Sequence, residues 1–446
     1  MSNSKWWTSV PAGPEFEVIV VGGGSAGSTA AIASARSGAK TLLIDKMAFL
    51  GGTSTAVLDT MYGFYSPGES PKRLVTGIPS EVVAYLESLG PVVERPNTYG
   101  AGTGITYNSE HLKVAWESMC ASAGVTVLQH AFLQDAHMVD GRVQEILVAT
   151  KSGLIRFAAP VFVDCSGDAD LCAFAGFGVE IAGEHDPAQS LTSTFKIVNV
   201  DMERRRSISK EVLHDLMAKA AEAGYALPRK EGSDHITPIA GMTATVMTRL
   251  PSYVSTPDGV FSATDPWFLT RSEHEGHRQV LEYMRFLQDW VPGYEEASLV
   301  SMASQIGVRE TRRVYGDYRL TRTDVLTAQQ FDDQVALCGA PIEDHRPGEG
   351  TDWVYLPEGT AVGIPLRSLI VRDATNVVTA GRCFSATHDA HASVRSIGQC
   401  MAMGQAAGVL AGMSISVSGE VRAVPSSKVQ DRLRRDGATL EVPNNG

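Results

Sequence analysis

The chain has 446 residues, of which 43% are hydrophobic and 20% charged, and its formal net charge is −12. This composition is ordinary for a globular protein with a large core, and the negative charge argues against nucleic acid and anionic membranes as main partners. The six cysteines include no Cys-x-x-Cys pair, which disfavours a zinc site and a dithiol disulfide. We expect reduced thiols in a cytoplasmic protein, with no secretory signal and no stretch long enough to span a bilayer.

The first 46 residues predict a strand, a glycine-rich turn, a helix and a second strand. "FEVIVV" (16–21) and "KTLLIDK" (40–46) are apolar runs typical of buried parallel strands. The Ala-rich segment 25–39 between them favours a helix that ends at Gly38. Together these elements predict one βαβ unit.

The turn of this unit carries a dinucleotide-binding pattern. Gly22, Gly24 and Gly27 stand in G-x-G-x-x-G spacing, and Asp45 ends the second strand about 20 residues on. The glycines permit a tight turn, the approach of a pyrophosphate to the backbone and close packing of helix on strand. The helix N-terminus offers N–H groups to phosphates, and the Asp45 carboxylate can accept hydrogen bonds from ribose hydroxyls.

Residues 79–89 and 109–124 predict two helices within a region otherwise rich in loops. A run of short strands follows, with a tight turn at Asp140-Gly141. Residues 160–177 then predict another strand, glycine turn and helix.

From 185 to 355 strand-like pieces alternate with charged helices, which indicates an inserted α+β domain. Residues 374–383 return to a buried strand followed by a glycine turn, and a helix is expected to begin near Ser396. The glycines of that helix are interpreted as a small face for close packing.

Two features favour FAD over NAD as the dinucleotide. "LGGTSTA" (50–56) is a second glycine turn with hydroxyls, and "FVDCSGDADLCAFAG" (162–176) is a strand that ends in a third glycine turn. Both let the chain approach the cofactor closely, and an NAD dehydrogenase needs neither. No second G-x-G-x-x-G follows a strand, so a dedicated NAD(P)H domain is not expected.

The sequence resembles the FAD-dependent oxidoreductases related to the flavoprotein class of fumarate reductase and succinate dehydrogenase. Four segments carry the resemblance in the family's order: 17–55, 162–176, 306–325 and 381–408. The resemblance implies an α/β fold with a discontinuous Rossmann-like FAD-binding domain, residues 1–184 and 356–446. A substrate or cap domain of α+β type, residues 185–355, would be inserted in it.

The resemblance also implies which residues contact FAD. They are Gly22, Gly24, Ser25, Ala26, Gly27, Asp45, Lys46, Gly51, Gly52, Thr53, Ala131, Phe132, Gly167, Asp168, Gly381, Arg382, Ile397 and Gly398. Flavin monooxygenases carry Gly-Asp at the late strand, whereas this chain has Gly381-Arg382. That departure weakens the interpretation as an aromatic hydroxylase and suits a basic side chain that meets the pyrophosphate. The pyrimidine edge of the flavin would lie at the N-terminus of the helix from Ser396.

His388, Asp389, His391 and Arg395 form a polar group that we expect to lie in a loop. A metal site needs three converging ligands, and no further His or Cys of suitable spacing lies nearby, so no metal is expected. Two interpretations remain open. One is a satisfied polar loop; the other is a role at the flavin face, with His388 or His391 as proton donor or acceptor and Arg395 as anion binder.

"GVRETRR" (307–313) places Arg309, Arg312 and Arg313 at helical spacing. The arginines are interpreted either as a clamp for a substrate carboxylate or as ion pairs between domains. Four aromatic side chains are candidates for the lining of an active site or for ordinary packing: Tyr62, Tyr65, Tyr107 and Trp267.

We therefore expect a FAD-dependent oxidoreductase, a dehydrogenase or oxidase that transfers a hydride between a small-molecule substrate and flavin N5. The electron acceptor stays open among oxygen, a quinone and a protein. The alternatives are a flavin monooxygenase using NAD(P)H and oxygen, and a FAD-binding subunit of an electron-transfer assembly. We expect no nucleic acid partner, and a homo-oligomer stays open.

Overall fold

The structure, a computed structural model, describes residue 7 and residues 9–97, 100–346 and 350–443. The strands are β1 (Val18–Val21), β2 (Thr41–Ile44), β3 (Thr60–Met61), β4 (Val93–Arg95), β5 (Gly104–Thr106), β6 (Thr126–Leu128), β7 (Phe132–Val139), β8 (Arg142–Thr150), β9 (Gly153–Ala158), β10 (Val161–Asp164), β11 (Val179–Ile181), β12 (Phe195–Val198), β13 (Ser233–Ile236), β14 (Thr243–Val246), β15 (Tyr253–Thr256), β16 (Gly259–Ser262), β17 (Ser298–Met302), β18 (Arg312–Val314), β19 (Gln334–Cys338), β20 (Ile342–Asp344), β21 (Asp352–Val354), β22 (Val362–Pro365) and β23 (Val377–Thr379). The α-helices are α1 (Ser25–Arg36), α2 (Thr53–Ala56), α3 (Ile78–Leu89), α4 (Ser109–Ser122), α5 (Asp170–Phe174), α6 (Met202–Arg206), α7 (Lys210–Glu222), α8 (Pro266–Trp290), α9 (Arg322–Leu326), α10 (His388–Val394), α11 (Ile397–Ser414) and α12 (Ser426–Arg435).

A parallel five-stranded sheet in the order β23-β10-β1-β2-β6 is the central layer. All four residues of β1 are buried because the sheet is covered on both faces. Val18 and Val20 pack into one apolar cluster with helices α1 and α11, while Ile19 and Val21 pack into a second cluster with the sheet β7-β8-β9. The predicted α/β fold, with its βαβ unit β1-α1-β2, is confirmed.

Helix α11 packs directly on α1 through its glycines. A Cβ at Gly404 would lie 2.2 Å from the carbonyl oxygen of Ala26, and one at Gly408 would lie 2.1 Å from that of Ala30. The absence of side chains at these positions lets two buried helices touch backbone to backbone. The interpretation of the glycines as a packing face is thus confirmed.

The segment Ile397–Val417 is long and apolar enough to cross a membrane by length and composition, with a hydropathy of 1.4. The expectation that no stretch reaches this length is wrong for this segment, because its glycines and its two serines do not lower its hydropathy enough. In the structure 67% of its apolar 18-residue window is buried inside the protein, as in a core helix.

An antiparallel sheet in the order β13-β14-β12-β17 lies in the region predicted as an insertion. It packs with α7 and α8 around its own apolar cluster, which includes Phe195 and Phe286. Val335 and Ile342, from the same region, belong instead to the first central cluster. The boundaries at 185 and 355 stay a prediction.

Two local predictions are wrong. Residues 307–313 do not form a helix, because Gly307 pairs with the backbone of Thr192 and β18 pairs with β11. The β-branched residues of this segment suit such pairing. The polar group expected in a loop lies in the short helix α10, whose Ala and His residues are nearly all buried.

Candidate functional site

The first two glycine turns lie against each other. Gly24 and Gly51 form an isolated parallel bridge, and the Gly51 N–H donates to the carbonyl of Gly23 at 2.8 Å. A Cβ at Gly52 would come within 2.9 Å of the Gly24 Cα. The second turn therefore covers the first, as a turn that approaches the same cofactor requires.

The three fingerprint glycines differ in what surrounds them. A Cβ at Gly27 would lie 1.8 Å from the Gly22 carbonyl oxygen, and Gly22 itself has a φ of +94°, so neither position tolerates a side chain. A Cβ at Gly24 would meet nothing nearer than 3.9 Å, so space remains beside this turn. Helix α1 begins there with no side-chain cap and no acidic residue in its first turn. Its N–H groups and positive dipole end thus fit a pyrophosphate.

Asp45 lies at the end of β2 with its carboxylate turned to the first glycine turn. The backbone N–H groups of Gly23 and Met47 both donate to it. Burial raises the pKa of Asp45 above its usual range, and the two N–H donors offset only part of that effect. Each carboxylate oxygen keeps a lone pair for a ribose hydroxyl.

Lys46, next in the chain, lies 5.9 Å from the centre of the Phe132 ring, and the Ala131 N–H donates to the Asp45 carbonyl. These predicted contact residues are therefore gathered at the end of β2.

The third glycine turn is joined to the late turn by an ion pair. Arg382 and Thr311 both donate to Oδ1 of Asp168 at 2.7 Å. Burial favours the protonated form of Asp168, but the Arg382 charge and the Thr311 hydroxyl outweigh it and hold the pKa below its usual range. A Cβ at Gly167 would lie 3.0 Å from the Arg382 guanidinium, while one at Gly381 would lie 2.9 Å from the Ala26 Cβ. The late turn thus reaches both the third turn and α1.

Helix α11 begins beside the segment that follows β3. Its N-cap Ser396 makes no side-chain cap, and its first turn has no acidic residue. The Gly398 N–H donates to the carbonyl of Tyr62 at 2.9 Å, and a Cβ at Gly398 would meet the backbone of Gly63 at 2.9 Å. The N–H group of Ile397 lies at this end of the helix, where the helix dipole places a partial positive charge.

His388 and His391 lie in a buried network centred on Glu310. His388 Nδ1 lies 2.9 Å from Oε2 of Glu310, and Arg313 donates to the same carboxylate. His391 Nε2 donates to the carbonyl of Arg382 at 2.8 Å. Burial, followed by the charge of Arg313, lowers the pKa of His391 well below its usual range, so the ring is neutral with Nδ1 unprotonated.

Among the described residues no group of three or more His, Cys, Asp or Glu is placed to hold a metal ion. Asp389, the single acidic residue of the polar group, pairs instead with Arg322 at 3.1 Å near the surface.

Arg312 and Arg313 form ion pairs with the segment after the third glycine turn. Arg312 pairs with Asp170 at 2.6 Å and Arg313 with Glu180 at 2.8 Å. Both carboxylates lie outside the region predicted as an insertion. These two contacts match the ion-pair interpretation of the arginines.

Arg309 belongs to a separate buried polar cluster, called the chamber below, which also contains Gln189, Glu343, His345 and Arg395. It donates to the Ser190 carbonyl at 2.7 Å and to the Thr192 hydroxyl at 2.6 Å. Arg395 approaches from the other side and donates to Oε1 of Gln189 at 2.6 Å. Within the described chain neither guanidinium pairs directly with a carboxylate.

The chamber is positively charged. Burial, followed by the charge of Arg395, lowers the pKa of Arg309 to about 9. Nε of Arg395 and Nε2 of Gln189 are buried donors that have no hydrogen-bond partner among the described residues. Buried donors and cations in this state fit an anion that supplies the missing acceptors.

Glu343 and His345 are chamber residues that the sequence pattern did not single out. His345 Nε2 lies 2.8 Å from Oε1 of Glu343. Burial opposes ionisation of Glu343, whereas His345 and Arg395 lower its pKa to about 2. The sequence offers only a weak signal for Glu343 and His345, since the isolated tripeptide "EDH" (343–345) matches no recognised motif.

The four aromatic candidates for the lining of the active site lie in different surroundings. Tyr62 receives a hydrogen bond from Arg95 in the chamber, and the Tyr107 hydroxyl donates to the Ser54 carbonyl at 2.6 Å. Tyr65 donates to Glu94 near the surface, and Trp267 is 76% exposed. Only Tyr62 is therefore placed to line the chamber.

Comparison with solved structures finds matches at low sequence identity. The chain is 13% identical to a geranylgeranyl bacteriochlorophyll reductase-like protein from Thermoplasma acidophilum, with 95% of this chain and 84% of that chain covered and a TM-score of 0.48. It is 13% identical to CabE, an aromatic hydroxylase from angucycline biosynthesis, with 95% and 65% covered and a TM-score of 0.47. It is 10% identical to OxyS anhydrotetracycline hydroxylase from Streptomyces rimosus, with 94% and 65% covered and a TM-score of 0.45. The chain thus spans slightly less than two thirds of the length of the two hydroxylases.

No curated protein matches the chain in sequence. Residues 17–433 match the family model described as FAD dependent oxidoreductase. This match covers most of the chain and includes all three glycine turns, the late turn and the start of α11. The chain therefore belongs to the FAD-dependent oxidoreductase family, is an enzyme, and has FAD as its cofactor.

Proposed function

We propose that the protein is a dehydrogenase or oxidase that transfers a hydride between a small anionic molecule and flavin N5. FAD supplies the two-electron chemistry when it is bound. The observation that carries the proposal is the chamber beside the start of α11, where two arginines lack a directly paired carboxylate within the described chain. An uncapped helix end for the flavin thus adjoins a site for a negatively charged substrate.

The residues that would hold FAD are those implied by the resemblance. The first two glycine turns would cradle the pyrophosphate, and Asp45 would bind the ribose of the adenosine. Ile397 would present its N–H group to the pyrimidine edge of the flavin, where negative charge develops on reduction, and Gly398, with no side chain, would let the ring approach the backbone. Lys46, Phe132 and the two later turns would complete the site.

Arg309 and Arg395 would bind the anionic group of the substrate. Each uses one nitrogen to bind the backbone or side chain of the segment 189–192. That contact fixes the guanidinium and leaves its other N–H groups for a ligand. A carboxylate that bridges the two side chains would receive charge-assisted hydrogen bonds in a site removed from water.

His388 and His391 have two candidate roles, proton transfer at the flavin and support of the late turn. Their contacts favour support, because His391 binds the Arg382 carbonyl and His388 binds the buried Glu310. In this role His391 holds the backbone of Arg382, whose side chain meets Asp168, and His388 holds Glu310 in the same buried network. A general acid or base would need a ring nitrogen that faces the substrate.

We also propose a relationship to the flavoprotein class of fumarate reductase and succinate dehydrogenase, supported by the order of the four resembling segments. The six cysteines are free thiols, which suits a cytoplasmic location. Oxygen, a quinone and a protein remain the candidate electron acceptors.

The test is reduction of the bound flavin by a panel of small molecules under anaerobic conditions. The panel contains hydroxy, amino and unsaturated carboxylates, each beside its neutral amide. We expect the acids to bleach the flavin absorbance at much lower concentrations than their amides do, followed by reoxidation with one of the three acceptors. A flavin that no compound reduces and no acceptor reoxidises would contradict the proposed function. NAD(P)H consumption stimulated by a substrate would instead support the monooxygenase.

A further inference from the structure

An aspartate and a histidine from distant parts of the chain form a buried pair beside the chamber. Nε2 of His235 lies 2.7 Å from Oδ1 of Asp59, and the two side chains are 6% and 4% exposed. Asp59 directly precedes β3, and His235 lies in β13. The pair therefore joins the central part of the fold to the sheet of the inserted region.

His235 projects from the face of that sheet that is turned away from its own apolar core. The preceding residue, Asp234, binds Tyr294 within the core of the inserted region. Since successive side chains alternate along a strand, His235 points to the opposite face. Lys196 of β12 shares this face and donates to the Ser109 hydroxyl of α4 at 2.7 Å. The face thus presents polar groups to the central part of the fold.

The hydrogen bond fixes which ring nitrogen of His235 is available. With Nε2 donating to Asp59, a neutral ring keeps its lone pair on Nδ1. Across the described parts of the chain no hydrogen bond reaches Nδ1 of His235. Oδ2 of Asp59 is buried and likewise has no partner there. Nδ1 of His235 is thus the atom of the pair that is left for a ligand.

The surroundings keep Asp59 ionised. Burial works to raise its pKa, but His235, Lys196 and Arg95 outweigh burial and leave the pKa below its usual range. Other ionisable groups nearby are the hydroxyls of Tyr62 and Tyr107. A carboxylate in this state stabilises positive charge on the imidazole, as in other aspartate–histidine pairs.

The pair lies close to the proposed position of the flavin. Tyr62 follows Asp59 along β3, and its carbonyl accepts the hydrogen bond from Gly398 at the start of α11. Because an extended chain advances at most about 3.5 Å per residue, the backbones of Asp59 and Tyr62 are within about 10 Å. The charges of both Asp59 and the chamber residue Glu343 act on the Tyr62 hydroxyl, so Tyr62 lies between the pair and the chamber.

We propose that His235 is a catalytic residue that exchanges a proton with the substrate, and that Asp59 is its positioning residue. This inference rests on the proposed function. When a C–OH or C–NH group is oxidised, the O–H or N–H bond breaks and an Nδ1–H bond forms on His235. The electron pair of the broken bond forms the new double bond as the substrate's hydride leaves to FAD. In the reductive direction the proton returns from Nδ1.

The state of the ring can be measured without a substrate. In the holoenzyme labelled with ¹⁵N-histidine, we expect the neutral His235 ring to carry its proton on Nε2, toward Asp59, and its lone pair on Nδ1. The variant Asp59→Asn should weaken this preference for one tautomer. A ring protonated on both nitrogens throughout the range of activity would overturn the proposal, because the pair would then be only an ion pair between two parts of the fold.

The catalytic role is tested with an acid that reduces the flavin in the panel. His235→Asn should lower kcat by about 10²–10⁴-fold and remove the acidic limb of its pH profile, with FAD content unchanged and KM altered only a few-fold. Asp59→Asn should do the same to a smaller extent, with partial recovery in Asp59→Glu. His277→Asn, on an exposed position of α8, is the matched control.

A kcat that stays at the wild-type value in His235→Asn, or a loss confined to KM and thermal stability, would overturn the proposal. A panel in which no compound reduces the flavin overturns the proposed function instead. The ring tautomer then still decides whether His235 offers an open base.

Discussion

Arg382 donates a hydrogen bond to Asp168 at 2.7 Å although the two residues stand 214 positions apart in the chain. Asp168 belongs to the third glycine turn and Arg382 to the turn after β23, which are carboxyl ends of neighbouring strands. Thr311 binds both side chains. The two halves of the predicted FAD site are thus joined by one polar contact, and the guanidinium has a carboxylate partner besides any phosphate.

Replacement of Arg382 by methionine should destabilise the protein and weaken FAD binding, because Asp168 would keep its charge without its main partner. Since both side chains are partly exposed, the expected loss is about 2 kcal/mol. Thermal unfolding and FAD titration measure the two effects. The double variant Arg382→Met with Asp168→Asn should recover part of the stability, and strictly additive losses would show that the pair is not coupled.

Asp45→Asn should raise the Kd of FAD by about 10–100-fold, because the binding free energy of one hydrogen bond to a charged group corresponds to a change of this size. The asparagine keeps the shape of the side chain but loses an acceptor and the charge that binds ribose hydroxyls. Recovery of FAD fluorescence on release from the protein measures the change. Glu17→Gln is the control, since Glu17 accepts from the Lys40 N–H at the other end of the same strand. Equal affinity in both variants would remove Asp45 from the FAD site.

The nucleotide-binding half of the site follows from local sequence. The G-x-G-x-x-G spacing, the flanking strands and Asp45 all lie within one βαβ unit, so their geometry is set by short-range chain connections. The second glycine turn lies only a few residues beyond β2, and its contact with Gly24 is equally local. These elements could be predicted because few alternatives satisfy the same spacing.

The chamber could not be predicted, since its contacts depend on how distant segments pack. Asp59 and His235 are 176 positions apart, and neither lies in a recognisable pattern. The spacing of Arg309 and Arg313 predicted a helix that the structure does not have. Gly307 pairs with Thr192 in extended form, so pairing between distant segments outweighs the helical spacing of the sequence. His388 and Glu310 likewise meet across 78 positions.

Gly404→Ala or Gly408→Ala should destabilise the protein by about 1–3 kcal/mol, because the added methyl group would overlap a carbonyl oxygen of α1. The helices must separate to admit it, although alanine favours a helix. Urea unfolding measures the loss. Gly350→Ala is the control, since a Cβ there meets nothing within 4 Å. Variants as stable as the control would mean that α1 and α11 are not in backbone contact.

His391 should make the stability depend on pH. In the folded protein burial and Arg313 hold its pKa well below the ordinary value of about 6.5, so below that pH only the unfolded chain binds a proton. Stability is therefore full above about pH 6.5 and falls by up to about 1.4 kcal/mol per unit as the pH drops further.

The variant His391→Gln keeps an N–H donor for the Arg382 carbonyl but does not titrate. The loss of stability between about pH 7.5 and pH 5.5 should be smaller in the variant by about 1.4 kcal/mol, as measured by urea unfolding at each pH. Identical pH dependence in the two proteins would contradict the lowered pKa, because His391 would then bind its proton equally well in the folded and the unfolded protein.

Arg309→Met should lower kcat/KM about 100-fold for an acid that reduces the flavin, which corresponds to about 2.7 kcal/mol of charge-assisted hydrogen bonding. The neutral amide of the same acid lacks the charge, so the variant should treat it as the wild type does. Arg309→Lys keeps the charge but not the planar donor pair, so its kcat/KM for the acid should fall between those of the wild type and Arg309→Met.

FAD content should not change in either variant, because Arg309 binds the segment 190–192 and not a glycine turn. Arg278→Met on the outer surface of α8 is the control. An equal loss for the acid and the amide would mean that Arg309 supports the chamber without binding the anion, since only a direct contact distinguishes the two substrates.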